Sequence, residues 1–128
     1  MSKRVTFGSE LRRLRRADPR KLSIVELAPV IDVTLSYLSD VERDEKAPPS
    51  PAKIYKLLEH LNVPHEYDRM VKLAADARKS IEFPLKELPE NGVRALMTLA
   101  RRTESGEMSS VDWEKLLSAM TEKKHDRD

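Results

Sequence analysis

A chain of 128 residues with no cysteine and three glycines cannot build a disulfide framework, a thiolate metal site, a cysteine nucleophile or a glycine-rich phosphate loop. With 36% charged and 5% aromatic residues, its core must come from Leu, Val, Ile, Met and Ala, which predicts an all-α protein suited to a reducing cytoplasm. No apolar run approaches the roughly 20 residues that span a membrane, and Met1 to Thr6 lacks the hydrophobic run of a signal peptide, so neither a membrane partner nor export is expected.

Thr6 is a good N-cap for a first helix, in which Phe7, Leu11 and Leu14 form one apolar stripe and arginines at 12, 13, 15 and 16 fill the other faces. Asp18-Pro19 stops it, because proline disfavours helix in the residue before it. Ser23 caps a second, short helix carrying Ile24, Leu27, Ala28 and Ile31, which Pro29 must kink or shorten. Asp32 tolerates the left-handed turn that follows, and Thr34 caps a third helix over about 35–44 with Leu38 and Val41 inward. Ala47-Pro48-Pro49 makes a stiff connector. Ser50-Pro51 then starts a fourth helix, lined by Ile54, Leu57, Leu58 and Leu61 and closed before Pro64. A fifth is expected over about 66–79, with Met70, Leu73, Ala74 and Ala77 at helical spacing. After Phe83-Pro84 come two more amphipathic segments, about 89–102 and about 110–122, the last capped by Ser110. Glu122 to Asp128 is almost wholly charged and should fray.

Charge is unevenly spread. Residues 1–21 hold eight basic side chains (Lys3, Arg4, Arg12, Arg13, Arg15, Arg16, Arg20 and Lys21) against Glu10 and Asp18, whereas acidic residues slightly outnumber basic ones further on. The positive end is either a footprint for an anionic polymer or a solvated helix face. No metal or catalytic constellation stands out. His60 and His65 are five apart with Pro64 between them, not the i, i+4 pair of a zinc helix, and read as surface histidines. His125 lies in the charged tail. No cofactor is implied.

Helices two and three are short and closely joined, the pattern in which the second of a pair enters a major groove and the first crosses the backbone. The third helix has small exposed residues, Ser36 and Ser39, and Arg43 at its far end. Any small α domain also has such a pair, so periodicity alone leaves both readings open. The runs Phe7-Gly8-Ser9-Glu10-Leu11-Arg12-Arg13-Leu14-Arg15, Leu22-Ser23-Ile24-Val25-Glu26-Leu27-Ala28 and Val33-Thr34-Leu35-Ser36-Tyr37-Leu38-Ser39-Asp40-Val41-Glu42-Arg43 resemble the Cro/C1-type (XRE) helix-turn-helix family. Pro48-Pro49-Ser50-Pro51 and the following Leu-rich helix extend the resemblance over residues 6–63.

The resemblance implies a five-helix lambda-repressor-like domain (residues 1–80) that binds double-stranded DNA, usually as a homodimer on a palindromic operator, and represses transcription. By the same resemblance, base contacts map onto Leu35, Ser36, Tyr37, Ser39 and Asp40. Backbone contacts map onto Ser23 and Ile24, and onto Arg43 and Lys46 after the third helix. Apart from the resemblance, the capping amides near Thr34 offer a further phosphate site, and Arg12 on the first helix is placed on the binding face. Glu42 and Arg15 map onto a structural ion pair. Three departures stand out: Ile24 where the family often has Gln, Asp32 for the turn glycine, and Pro29 inside the second helix. Asp40 is also an unusual charge beside phosphates, although a carboxylate accepts from the cytosine amino group.

Residues 81–128, a C-terminal helical extension, carry two further apolar stripes. These are Val93, Leu96, Met97 and Ala100, then Trp113, Leu116, Leu117 and Met120. They suit a dimer interface of Val93, Leu96, Met97, Trp113, Leu116, Leu117 and Met120, a docking surface for another protein such as a toxin or second regulator, or packing on helix five. The alternative to a DNA-binding regulator is accordingly an antitoxin or adaptor whose C-terminal helices bind a protein partner. An enzyme is not expected.

Overall fold

The computed structural model describes residues 4–78 and 80–121 and contains, among these, α-helices and short 3-10 turns but no strand. The charged tail from Glu122, with His125, and Lys3 at the other end lie outside the described residues. The chain divides into two compact units, one up to Glu82 and one from Phe83 onward.

The first unit opens with α1 (Phe7–Ala17). Its start is a reciprocal capping box: Thr6 Oγ1 accepts from the Ser9 N–H at 3.0 Å, and Ser9 Oγ accepts from the Thr6 N–H at 3.0 Å. Phe7, Leu11 and Leu14 are buried as the stripe predicts. Beyond Asp18, Arg20 folds back, giving its backbone N–H and its guanidinium to the Asp18 carboxylate. These bonds hold the Asp18 carboxyl down at about 2.

α2 (Ile24–Leu27) lasts four residues before Pro29 forces the chain into a 3-10 turn, Ala28–Ile31. The missing proline N–H makes that tightening the low-cost continuation. Asp32 takes the left-handed conformation (φ 56°, ψ 50°), and Thr34 Oγ1 accepts from the Tyr37 N–H at 3.0 Å to start α3 (Leu35–Glu42). After Pro48 and Pro49, both buried, Ser50 caps α4 (Pro51–His60). A 3-10 turn at Pro64–Glu66 leads into α5 (Tyr67–Asp76), which begins and ends inside the span its periodicity suggested.

One apolar core joins these helices. Leu11, Leu27, Leu38 and Met70 show no exposure at all, and Ile31, Val41, Ile54, Leu57 and Leu58 show 1%. Losing any one leucine of this set to alanine costs about 2–5 kcal/mol by leaving a cavity. Gly8 lets α1 approach α3: a Cβ built there would lie 2.4 Å from the Val41 carbonyl oxygen and 2.7 Å from that of Glu42. Asp44, itself left-handed at φ 62°, locks the same junction, accepting from the Gly8 N–H at 3.2 Å and the Thr6 hydroxyl at 2.8 Å.

The second unit is different in kind. α6 (Glu90–Glu104) and α7 (Ser110–Thr121) are linked through Gly106 at φ 77°. The cap of α7 is Ser109, one residue earlier than its sequence suggested. Ser109 Oγ accepts from the Asp112 N–H at 3.1 Å, and Asp112 Oδ2 accepts from the Ser109 N–H at 3.0 Å. Neither helix contains a buried residue. An open apolar cleft of about 640 Å³ runs between them, lined by Leu96, Leu99, Met108, Leu116 and Met120 among others. Met97, Trp113, Leu117 and Met120 are exposed, and Val93, Leu96 and Leu116 are half-buried.

Candidate nucleic-acid interface

The orientation of α3 is set from beneath. Leu38 and Val41 enter the core, and the Glu42 carboxylate goes with them, its side chain 0% exposed. A buried carboxylate needs partners, and Arg15 supplies them: Nε to Oε2 and Nη2 to Oε1, both at 2.8 Å. The third arm of the Arg15 guanidinium donates to the Leu22 carbonyl at 3.0 Å, so one side chain ties α1, α3 and the approach to α2. Arg12 adds a longer contact to Glu42 Oε1 at 3.4 Å while staying 42% exposed.

The opposite side of α3 is open. Thr34, Leu35 and Ser36 are exposed, Ser39 and Asp40 are half-buried, and Arg43 is exposed at the helix end with Lys46 just beyond. With its side chains an α-helix is roughly 10–12 Å across, which a major groove of roughly 12 Å admits. Tyr37 departs from this face. It is half-buried, and its hydroxyl donates to the Ala47 carbonyl at 2.7 Å, so it braces the connector to α4; burial raises its phenol pKa.

At the start of α2, Ser23 is exposed and capped from its own side. Its N–H donates to Glu26 Oε1 at 2.7 Å, and the Glu26 N–H donates back to Ser23 Oγ at 3.3 Å. The Glu26 carboxylate therefore already holds the Ser23 amide. Ile24 is half-buried and packs on the core, leaving its backbone as the polar group it offers.

Among the described residues, four of the eight N-terminal basic side chains meet carboxylates of the fold. Arg12 and Arg15 face Glu42, Arg13 faces Glu10, and Arg20 faces Asp18. Glu10 is mostly buried and also accepts from Arg69 of α5 at 2.6 Å. Its bond from Arg13, aided by Arg69, holds the carboxyl at about 2 against the opposing effect of burial. Arg4, Arg16 and Lys46 carry no ion pair among the described residues. Sequence reading missed Arg69, whose partner lies 59 positions away, and Asp44, whose role depends on a left-handed turn.

The described residues contain no cluster of His, Asp and Glu that could hold a metal, and no helix among them is long and apolar enough to cross a membrane. His65 lies exposed, 3.9 Å from Glu66.

Residues 11–67, from the middle of α1 to the first residue of α5, match the Helix-turn-helix family. Two curated relatives come from Bacillus subtilis (strain 168). The uncharacterized HTH-type transcriptional regulator RghRB is 42% identical over 60 residues, covering 47% of this chain and 42% of its own length. The HTH-type transcriptional repressor RghR is 39% identical over 61 residues, covering 48% of this chain and 44% of its own. The match thus spans less than half of each relative. No solved structure matches. The relatives are transcriptional regulators, a non-enzymatic class. Over residues 11–67, with their short second helix, left-handed turn and α3 seated on the Arg15–Glu42 pair, the chain is similar to the Helix-turn-helix family.

Proposed function

We propose that the protein is a sequence-specific DNA-binding transcriptional regulator, acting as a repressor that binds a palindromic operator as a homodimer. The observation that carries this reading is α3: an outward row of exposed Leu35, Ser36 and Arg43 with half-buried Ser39 and Asp40, on a helix whose other side is fixed in the core by Leu38, Val41 and the Glu42–Arg15 pair. Such a helix meets base edges without rearranging, so binding loses little to ordering. Ser36 and Ser39 allow close approach, Arg43 and Lys46 reach phosphate or guanine, and Ser23, Ile24, Thr34 and Arg12 lie on elements that flank the strands. The repressor assignment draws on the name of one relative.

The homodimer draws on the second unit. A pair of helices without a buried residue does not make a core of its own, and units of this size usually need a partner to be stable. A second copy set against Val93, Leu96, Met97, Trp113, Leu116, Leu117 and Met120 would give a four-helix arrangement and the two-fold symmetry a palindrome requires. The same exposed apolar residues favour the second reading, in which this unit docks a different protein and the chain acts as an antitoxin or adaptor.

Selection of bound sequences from a random duplex pool tests the first part. The expected outcome is an enriched two-fold symmetric site with half-sites about one helical turn apart. An asymmetric site would count against dimeric binding. Sedimentation of the intact chain against residues 1–82 tests the second part, with a dimer expected for the former and a monomer for the latter. A truncated chain that stays dimeric would remove the dimer role from α6 and α7.

A further inference from the structure

Asp40 and Arg43 do not face the solvent independently. Arg43 Nη1 donates to Ser39 Oγ at 2.7 Å, and its Nη2 donates to Asp40 Oδ1 in a short contact. A longer contact of 3.4 Å joins the same Nη2 to Glu45 Oε1. The guanidinium is therefore folded back along the exposed side of α3, over the residues one turn before it, with the Asp40 carboxylate beside it. Arg43 Nε and Asp40 Oδ2 have no hydrogen-bond partner among the described residues. Both side chains keep access to the outside, at 47% exposure for Arg43 and 20% for Asp40.

A carboxylate on a helix that meets DNA is costly if it acts alone, because it faces a polyanion. Joined to Arg43 it becomes half of a neutral unit that offers donors and an acceptor side by side. Across the major groove a G·C pair shows two acceptors, guanine N7 and O6, followed by a donor, the cytosine N4 amino group. The unit is the complement of that row. An A·T pair in one orientation would set the adenine N6 amino group, a donor, against Arg43 and thymine O4, an acceptor, against the carboxylate; in the other it would put the thymine methyl where Arg43 meets guanine N7.

We propose that Asp40 and Arg43 form a single preassembled reader of one G·C base pair in each half-site. Arg43 donates to guanine O6 and N7, and Asp40 accepts from N4 of the paired cytosine. Giving up the long Glu45 contact frees the Arg43 donors for this. The inference rests on the proposed entry of α3 into the major groove. It makes Asp40 a specificity residue whose loss relaxes sequence choice without weakening attraction to DNA in general, since removing a negative charge leaves phosphate attraction the same or stronger.

The test selects from a random duplex pool with the intact chain and with Asp40→Ala and Arg43→Ala. Affinities for the selected duplex, for single-base-pair substitutions in it and for a random-sequence duplex are then measured by anisotropy. The wild-type chain should prefer G·C at one position of each half-site by roughly 5- to 150-fold, the range for one bidentate base contact. D40A and R43A should both flatten that same position to within a few-fold, leaving the other positions unchanged. D40A should bind the random duplex at least as tightly as wild type, and R43A more weakly. The pair lies at the surface, so an unchanged unfolding midpoint in D40A separates these effects from a folding defect. If a wild-type motif is found but D40A keeps its full preference everywhere, or the two variants alter different positions, the paired reader is wrong while α3 entry stands. If wild type enriches no motif, the entry of α3 and the paired reader fall together.

Discussion

Replacing Glu42 by alanine probes the frame on which α3 is carried. Its carboxylate is completely enclosed and accepts two bonds of 2.8 Å from Arg15 and one of 3.4 Å from Arg12. Without it, Arg15, whose side chain is 12% exposed, keeps its charge with the Leu22 carbonyl as its one remaining partner. Breaking a buried pair from one side costs about 3–5 kcal/mol. The Arg12 end is open to water, so the lower figure of about 3 kcal/mol is expected here. A unit ending at Glu82 has a total stability on the order of 4–12 kcal/mol at typical values per residue, so the loss is a large fraction of the whole. It corresponds to a fall in Tm of about 12–24 °C. Urea unfolding of the intact chain, followed by far-ultraviolet circular dichroism, measures it directly as a lower midpoint with the slope unchanged. The double variant Arg15→Met with Glu42→Met should recover most of the loss, because apolar residues of similar volume need no desolvated charge. An E42A chain within about 0.5 kcal/mol of wild type would refute the claim that this pair holds α3 in place.

Three further outcomes follow from the same contacts. Gly8→Ala should destabilise the first unit by about 2–3 kcal/mol or more, read as a lower urea midpoint, because its Cβ would meet the backbone oxygens of Val41 and Glu42 at 2.4 and 2.7 Å. Glu10 has a folded-state pKa of about 2, below its ordinary value of 4.5, so its stabilising contribution is complete above about 4.5 and is lost as pH falls toward 2. Because Arg13 and Arg69 are themselves half open to solvent, this amounts to about 2 kcal/mol, and Glu10→Gln should flatten the acid limb of stability against pH by that amount. Arg12→Ala should lower the slope of log affinity for the selected duplex against log salt by about one, as expected for one lost phosphate contact, and an unchanged slope would take Arg12 off the binding face.

Much of the first unit was legible because its signals are local. Thr6, Ser23, Thr34 and Ser50 are caps within three residues of the amides they hold, and Pro29 and Asp32 impose their own backbone geometry. The α7 start moved by one residue because Ser109 and Ser110 compete for it, and Asp112 stands at the distance that completes a box with Ser109. What was not legible depends on residues far apart in the chain. The N-terminal arginines read as a surplus of positive charge, yet several face carboxylates brought in by folding, including Glu42 on α3. Tyr37 maps onto a base contact by the resemblance, and the bond from its hydroxyl to the Ala47 carbonyl, ten positions on, had no signal in the sequence. The apolar stripes of α6 and α7 were plain in the sequence. Which surface covers them is not a local property, and no periodicity encodes it.

The most direct test of the account fixes a photoreactive group at one position and asks what it touches. A cysteine introduced as Ser36→Cys, labelled with a short photocrosslinker and irradiated on the selected duplex, should attach to bases and do so at matching places in both half-sites. The same label at K56C, on α4, should give little. Crosslinks from K56C with none from S36C would contradict the placement of α3 against DNA.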